Sequence, residues 1–234
     1  MAEILDVLRT EQKYRLNRVE TAWMIHHLSQ VMCQDAHGSP EGYHVRSLYF
    51  DTPDNSDYFD KVDGYENRRK IRLRIYDSKD RYAKLELKEK QGKLQRKRSL
   101  ILSRQDAECV CKGDYEVLLK QQTEFALELY GRMKQFVYRP KCLIEYDRKA
   151  FVVQDNDTRV TFDTGLRASE ACSELFAENL SFYPIGVDGF GTMEIKFNRF
   201  LLTYIKDMVS LPFCVQTSAS KYGASRNFFL GKDI

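Results

Sequence analysis

Residues 68–98 carry fourteen Lys or Arg against four acids, a local charge of +10. The remainder of the 234-residue chain carries twenty-three bases against thirty acids, a charge of −7. The overall +3 therefore conceals a strongly basic segment inside an acidic chain. Within that segment charges alternate with aliphatics, as in Arg72-Leu73-Arg74 and Glu86-Leu87-Lys88. Successive side chains of a strand point to opposite faces, so two neighbouring strands of this kind gather charges on one face and leucines on the other. Like charges facing one another across a sheet are destabilising, so such a face implies an anion held against it.

The same alternation organises the rest of the chain. Strands are expected at residues 9–15, 45–51, 70–76, 82–90, 94–102, 141–147, 151–154, 158–163 and 192–197. Turns are expected at 77–80 and 91–93. Helices are expected at 20–33 and 54–62, across 103–134 with a break near Gly113, and at 199–208. Trp23, Ile25, Leu28 and Val31 recur at helical spacing on the first, and Tyr58 and Phe59 are expected to face inward on the second. Residues 164–189 read as irregular with one short helix, and a tail at 218–229 closes the domain. No repeat, low-complexity tract or linker interrupts this order. The expected class is α+β: one domain over residues 1–234, with about eight antiparallel strands in a barrel-like sheet and helices packed outside.

Six cysteines lack the spacing of a disulfide framework, and Cys109-Val110-Cys111 has no second pair to complete a zinc site. Reduced thiols and the lack of a leader pattern at the start imply a cytoplasmic protein. No apolar run approaches the length of a membrane span. His26, His27, His37 and His44 show no metal-binding spacing, and Asp51 beside Pro53 reads as a turn device.

The residues on charged strand faces are Glu11 and Lys13, Arg72 and Arg74, Glu86 and Lys88, Arg96 and Arg98, Arg148, Arg159, Asp163, Glu194 and Lys196. A solvated barrel exterior would mix acids and bases evenly. Here bases dominate, and the intervening Leu73, Leu85, Leu87 and Ile195 suit packing beneath outer helices. The charges are therefore expected to line a lumen. Arg offers a planar fork to phosphate oxygens and Lys a point charge, so a polyphosphate or nucleoside triphosphate fits such a lumen. The few glutamates are candidates for a divalent metal, since Mg²⁺ or Mn²⁺ bridges carboxylate and phosphate oxygens. A nucleic acid fits less well, because its grooves add exposed stacking aromatics and most aromatics here sit in core-type patterns.

Eight short motifs occur in order: Arg9-x-Glu11-x-Lys13-Tyr14, Ser47-Leu48-Tyr49-Phe50-Asp51-Thr52, Arg72-Leu73-Arg74-x-Tyr76, Leu85-Glu86-x-Lys88, Tyr146-x-Arg148-x-Ala150-Phe151, Arg159-x-Thr161-x-Asp163, Met193-Glu194-x-Lys196 and Ser220-Lys221-Tyr222. Together, over residues 9–226, they resemble the VTC domain, the polyphosphate polymerase domain of the vacuolar transporter chaperone complex and its bacterial relatives, within the triphosphate tunnel metalloenzymes. The resemblance implies a tunnel of eight antiparallel strands. It also implies transfer of the γ-phosphate of ATP to a growing polyphosphate chain, with a divalent metal, often manganese. Lys13, Arg72, Arg74, Lys88 and Lys196 fall at reacting-phosphate positions. Arg9, Arg96, Arg98, Tyr146, Arg148, Arg159 and Lys221 fall at further phosphate-binding positions. Glu194 falls at the metal position. Glu11 and Glu86 either join the metal or orient tunnel cations by salt bridges, and Asp163 is read as holding an arginine.

Hydrolytic members of the superfamily resemble one another in a Glu-x-Glu-x-Lys start. Arg9 replaces the first of those acids here, which favours polymerase over hydrolase. A one-residue slip of the 94–102 strand would put Lys97 in the tunnel in place of Arg96 and Arg98, and the two arginines are the expected pair. A triphosphate hydrolase and a non-catalytic polyphosphate or nucleotide sensor are the alternatives. The expected partners are ATP and polyphosphate, with a membrane protein as a further partner if the polymer is exported.

Overall fold

The computed structural model describes residues 4–36, 38–92, 94–153, 157–170, 173–186 and 189–232, and the side chains of residues 4–9 and 94 lie outside that description. His37 and the side chain of Arg9, named above, lie outside the described residues, as do Lys93 of the expected 91–93 turn, Gln154 of the expected 151–154 strand and Cys172, one of the six cysteines.

The elements run β1 (Ile4–Asn17), α1 (Arg18–Leu28), β2 (Cys33–Gln34), β3 (Tyr43–Asp51), α2 (Ser56–Val62), β4 (Arg68–Ile75), β5 (Tyr82–Gln91), β6 (Leu94–Ser103), α3 (Arg104–Cys111), a 3-10 helix (Glu116–Gln121), α4 (Glu124–Gln135), β7 (Arg139–Val153), β8 (Thr158–Ser169), β9 (Tyr183–Pro184), β10 (Phe190–Phe197), α5 (Thr203–Val209), β11 (Val215–Gln216) and α6 (Lys221–Phe229). From β7 the antiparallel ladder passes through β3, β4, β5, β6, β1, β10 and β8 and returns to β7. Eight long strands thus form a ring, the expected antiparallel tunnel. The short β2, β9 and β11 attach to β7, β8 and β1.

The aliphatics between the charges build the outer layers. Leu73, Leu85, Leu87, Leu100 and Leu102 pack beneath Val110, Leu118, Leu129 and Met133 of the 104–135 helices. Leu16, Val160, Phe162 and Ile195 pack beneath Met24 and Leu28 of α1 and Ile205 of α5. Each fully buried side chain of this size contributes roughly 1.5–3 kcal/mol. A third cluster lies on the lumen side, where Tyr222 of α6 stacks on Tyr49 at 5.3 Å between ring centroids and packs with Val45, Ile144 and Tyr146. Helix α6 therefore covers part of the inner wall. Among the described residues no helix is long and apolar enough to cross a membrane.

Several elements differ from expectation. Helix α1 starts at a capping box between Asn17 and Glu20 and ends at Leu28. Its buried stripe is Thr21, Met24 and Leu28, and Trp23 turns outward to stack on His27 at 3.8 Å. Val31 is exposed beyond the helix, and Phe59 is exposed while Tyr58 is buried. The strands expected at 141–147 and 151–154 are one strand, β7, whose register against β8 shifts between Glu145 and Asp147. Such a bulge lets a strand bend without ending. Strand β8 runs on to Ser169 with Gly165 at φ +63°, and the described residues of 164–189 contain no helix. Helix α5 begins only at Thr203.

Candidate active site

The lumen contains a cavity of about 300 Å³ lined, among the described residues, by eleven cationic side chains and two carboxylates, Glu11 and Glu194. Strand alternation explains the lining. Lys70, Arg72 and Arg74 on β4 and Lys84 and Lys88 on β5 point inward while their neighbours pack outward. Lys13 on β1, Lys196 on β10, Arg148 on β7 and Arg159 on β8 complete the ring, with Lys221 supplied by the start of α6.

Each arginine is fixed by buried acceptors. Arg72 donates to Glu86 at 2.6 Å and to the Tyr49 hydroxyl at 3.0 Å. Arg74 donates to Ser47 Oγ at 3.3 Å and to the Tyr146 hydroxyl at 3.2 Å. Arg148 makes a two-pronged bond to Asp163 at 2.6 and 2.7 Å, and Lys221 donates to the same carboxylate at 2.6 Å. Arg159 donates to Asp35 and to the Tyr43 hydroxyl. Burial would raise the pKa of Asp163, yet Arg148 and Lys221 outweigh it and hold the group ionised. These forks are set before any ligand arrives.

Glu11 and Glu194 form the other pole. Lys13 lies 3.3 Å from Glu11 and 3.7 Å from Glu194, Lys88 lies 2.6 Å from Glu11, and Lys196 lies 2.5 Å from Glu194. Burial opposes charge on Glu194, but Lys196, Lys13 and Lys88 hold its pKa well below the usual carboxylate range. Burial and Glu194 oppose charge on Glu11, and Lys88, Lys13 and Lys196 lower its pKa nonetheless. Two ionised carboxylates thus face one lumen. Among the described residues no group of three His, Cys, Asp or Glu converges, so a divalent ion here would meet at most Glu11 and Glu194, with phosphate and water to complete its shell. That donor set suits Mg²⁺ or Mn²⁺. Glu86 does not fit it. Its buried carboxylate is salt-bridged to Arg72, Arg74 and Lys97 and, unlike Glu11 and Glu194, does not line the cavity.

The structure corrects the 94–102 strand. Lys97 reaches the cavity and lies 3.0 Å from Glu86. Arg98 is on the outer face, bound to Glu89 of β5 and Glu128 of α4 and stacked 4.7 Å over the Phe125 ring. Arg96, exposed, shares that outer face. The reason is the period of two: Leu100 and Leu102 enter the outer core and carry Arg96 and Arg98 with them. Arg9 pairs with Gln95 through the backbone of β1.

Lys70 escaped the sequence reading, although it extends the Arg72–Arg74 face by one step. It donates to Ser220 Oγ at 2.5 Å. Burial, reinforced by Lys13, Lys88, Lys61 and Arg68, drives its pKa well below the usual lysine range. Lys70 also lines a second cavity of about 270 Å³, which shares Glu11, Lys13, Lys88, Gln95 and Ser220 with the first and adds Lys61, Arg68, Arg69 and Lys90. The two basic cavities therefore adjoin along these shared residues.

A Hippeastrum protein, described as a candidate adenylyl cyclase with a dominant triphosphatase activity, superposes with a TM-score of 0.54 at 12% identity over 97% of each chain. A Bacillus halodurans protein, described as a candidate adenylate cyclase, gives 0.46 at 12% identity over 97% of this chain and 90% of that one. The PH1819 protein of Pyrococcus horikoshii gives 0.45 at 11% identity over 94% and 98%. No curated protein matches. The Hippeastrum likeness shows a shared fold, and the family model described as VTC domain matches residues 8–230. With that match over nearly its whole length, the chain belongs to the VTC domain family.

Proposed function

We propose that this protein is an ATP-dependent polyphosphate polymerase, transferring the γ-phosphate of ATP to the terminal phosphate of a polyphosphate chain and releasing ADP. Family membership ties the tunnel to triphosphate or polyphosphate chemistry. The observation that carries the finer reading is the lining, eleven cations against two carboxylates, beside a second, adjoining cationic cavity of about 270 Å³.

Phosphoryl transfer passes through a loose transition state with charge spread over the phosphoryl oxygens, so positioning and charge stabilisation supply most of the catalysis. Arg72, Arg74 and Arg148 offer fixed forks to those oxygens, and Lys13, Lys88, Lys196 and Lys221 offer point charges. The Tyr146 hydroxyl is placed to donate. An oxygen of the acceptor phosphate attacks phosphorus as the bond to the ADP oxygen breaks, and no protein nucleophile is required. A divalent metal held by Glu194 and Glu11 would neutralise charge on the phosphate oxygens.

A triphosphate hydrolase is the second reading, favoured by the Glu11–Glu194 pair, which could orient water. Against it, neither Glu86 nor Asp163 lines the cavity beside that pair, and among the described residues no third acid does. Purified protein with ATP and Mn²⁺ is expected to yield ADP and acid-labile polymer. Glu194→Ala is expected to lower turnover at least about a hundredfold while tripolyphosphate still binds in calorimetry. Free phosphate without polymer would move the protein to the hydrolase reading. Tight tripolyphosphate binding without turnover would make it a sensor. Unchanged turnover in Glu194→Ala would remove the metal role from that residue.

A further inference from the structure

The two compartments differ in one chemical respect. Tyrosines line the first, whereas among the described residues the second is lined by charged and small polar side chains with no aromatic. Three of those tyrosines are committed to the fold. Tyr49 and Tyr222 stack on each other, and Tyr146 lies beneath Lys221 and Arg148. Tyr43 and Tyr76 differ. Tyr76, just beyond β4, is 38% exposed and meets the Tyr43 ring edge-on at 5.8 Å. Lys84 lies 5.4 Å from the centre of the Tyr76 ring, and Arg159 bonds the Tyr43 hydroxyl at 2.9 Å. An aromatic ledge therefore stands at one end of the cationic passage, with a cation on either side of it.

A phosphate chain gains nothing from a π face. A nucleobase does, since every base offers a flat surface that stacks on an aromatic ring. The cations beside the ledge are placed for the phosphates that follow the base. We infer that Tyr43 and Tyr76 hold the base of a nucleoside triphosphate, with its phosphates directed inward toward Arg72 and Arg74. This makes the pair a determinant of nucleotide over inorganic triphosphate, and it rests on the triphosphate reading above.

Calorimetric titration with ATP and with inorganic tripolyphosphate, in the same buffer and Mn²⁺, tests the ledge. Tyr76→Ala is expected to weaken ATP roughly tenfold, the lower part of the range for one lost base–ring stack, and to leave tripolyphosphate unchanged. Tyr43→Phe keeps the ring and drops the bond from Arg159, and it is expected to retain the preference for ATP over tripolyphosphate. Equal weakening of both ligands in Tyr76→Ala, or no weakening of ATP, overturns the inference. Failure of the unmodified protein to bind tripolyphosphate would overturn the triphosphate reading itself, and the ledge with it.

Discussion

Lys97 and Arg98 are neighbours on β6 and meet opposite surroundings. Lys97 enters the lumen beside Glu86, and Arg98 grips Glu128 and Glu89 on the outer wall. The run Arg96-Lys97-Arg98 puts a cation on both faces, so charge alone could not choose the register. Leu100 and Leu102 could, because they must join Leu85 and Leu87 in the outer core and Arg98 shares their face. The two positions should therefore separate binding from stability. Lys97→Ala is expected to weaken tripolyphosphate roughly three- to tenfold, as for a lost charge-assisted contact, with a smaller change in urea midpoint than Arg98→Ala because Arg72 and Arg74 still hold Glu86. Arg98→Ala is expected to leave affinity unchanged and to cost about 1–3 kcal/mol of stability, since Glu89 and Glu128 lose their shared donor. The reverse pattern in paired titrations and unfolding curves would return the strand to the other register.

At the scale of elements, legibility followed chemical contrast between faces. Strand β6 was located but its faces were exchanged, whereas β4 and β5 were readable because lumen and core faces carry different residue types at period two. Strand β7 was not, because its bulge beside Asp147-Arg148-Lys149 looks like a charged turn, and β8 was cut short because Gly165 reads as a breaker. Helix α1, expected over 20–33, runs over Arg18–Leu28; Leu28 and Ile25 of its expected stripe pack inward, while Trp23 stacks on His27 outside and Met24 enters the core instead. The anchor of α2 and α6 was also hidden. Asp51 accepts from the backbone N–H of Asp57 and Tyr58, at 2.9 and 3.0 Å, and from the Tyr222 hydroxyl at 2.7 Å. It thereby ties α2 to the helix that delivers Lys221, a tertiary role that no local turn pattern reveals. Beside it, burial and the Asp51 carboxylate push Asp57 up to about 7, against the pull of Tyr138 and Arg69. An unfolded aspartate titrates at about 3.9. Between about 4 and 7 the folded chain thus keeps a proton that the unfolded chain has released, and stability falls as pH rises through that window. Asp57→Asn should remove this component. Its urea midpoint is expected to gain on the unmodified protein steadily from acid to neutral pH, and parallel curves would show that Asp57 titrates normally.

For the whole molecule, the charge segregation seen in the sequence becomes a passage. The outer helices and strand backs absorb the aliphatics, and the cations converge on two compartments that meet at Lys70 and Ser220. A cation-lined channel with low-dielectric walls focuses the potential along its length, so each further phosphate drawn into it should add attraction until both compartments are filled. Affinity for inorganic polyphosphate is therefore expected to rise with chain length beyond tripolyphosphate and then level off. Arg68 and Lys90 line only the second compartment. The double variant Arg68→Glu with Lys90→Glu is expected to keep tripolyphosphate affinity while binding long chains roughly tenfold or more weakly, with a shallower dependence on salt because fewer phosphates are neutralised. The check is a series of dissociation constants against chain length at two ionic strengths. A length dependence identical in the two proteins would mean that a bound chain ends within the first compartment, and that the second takes no part in its path.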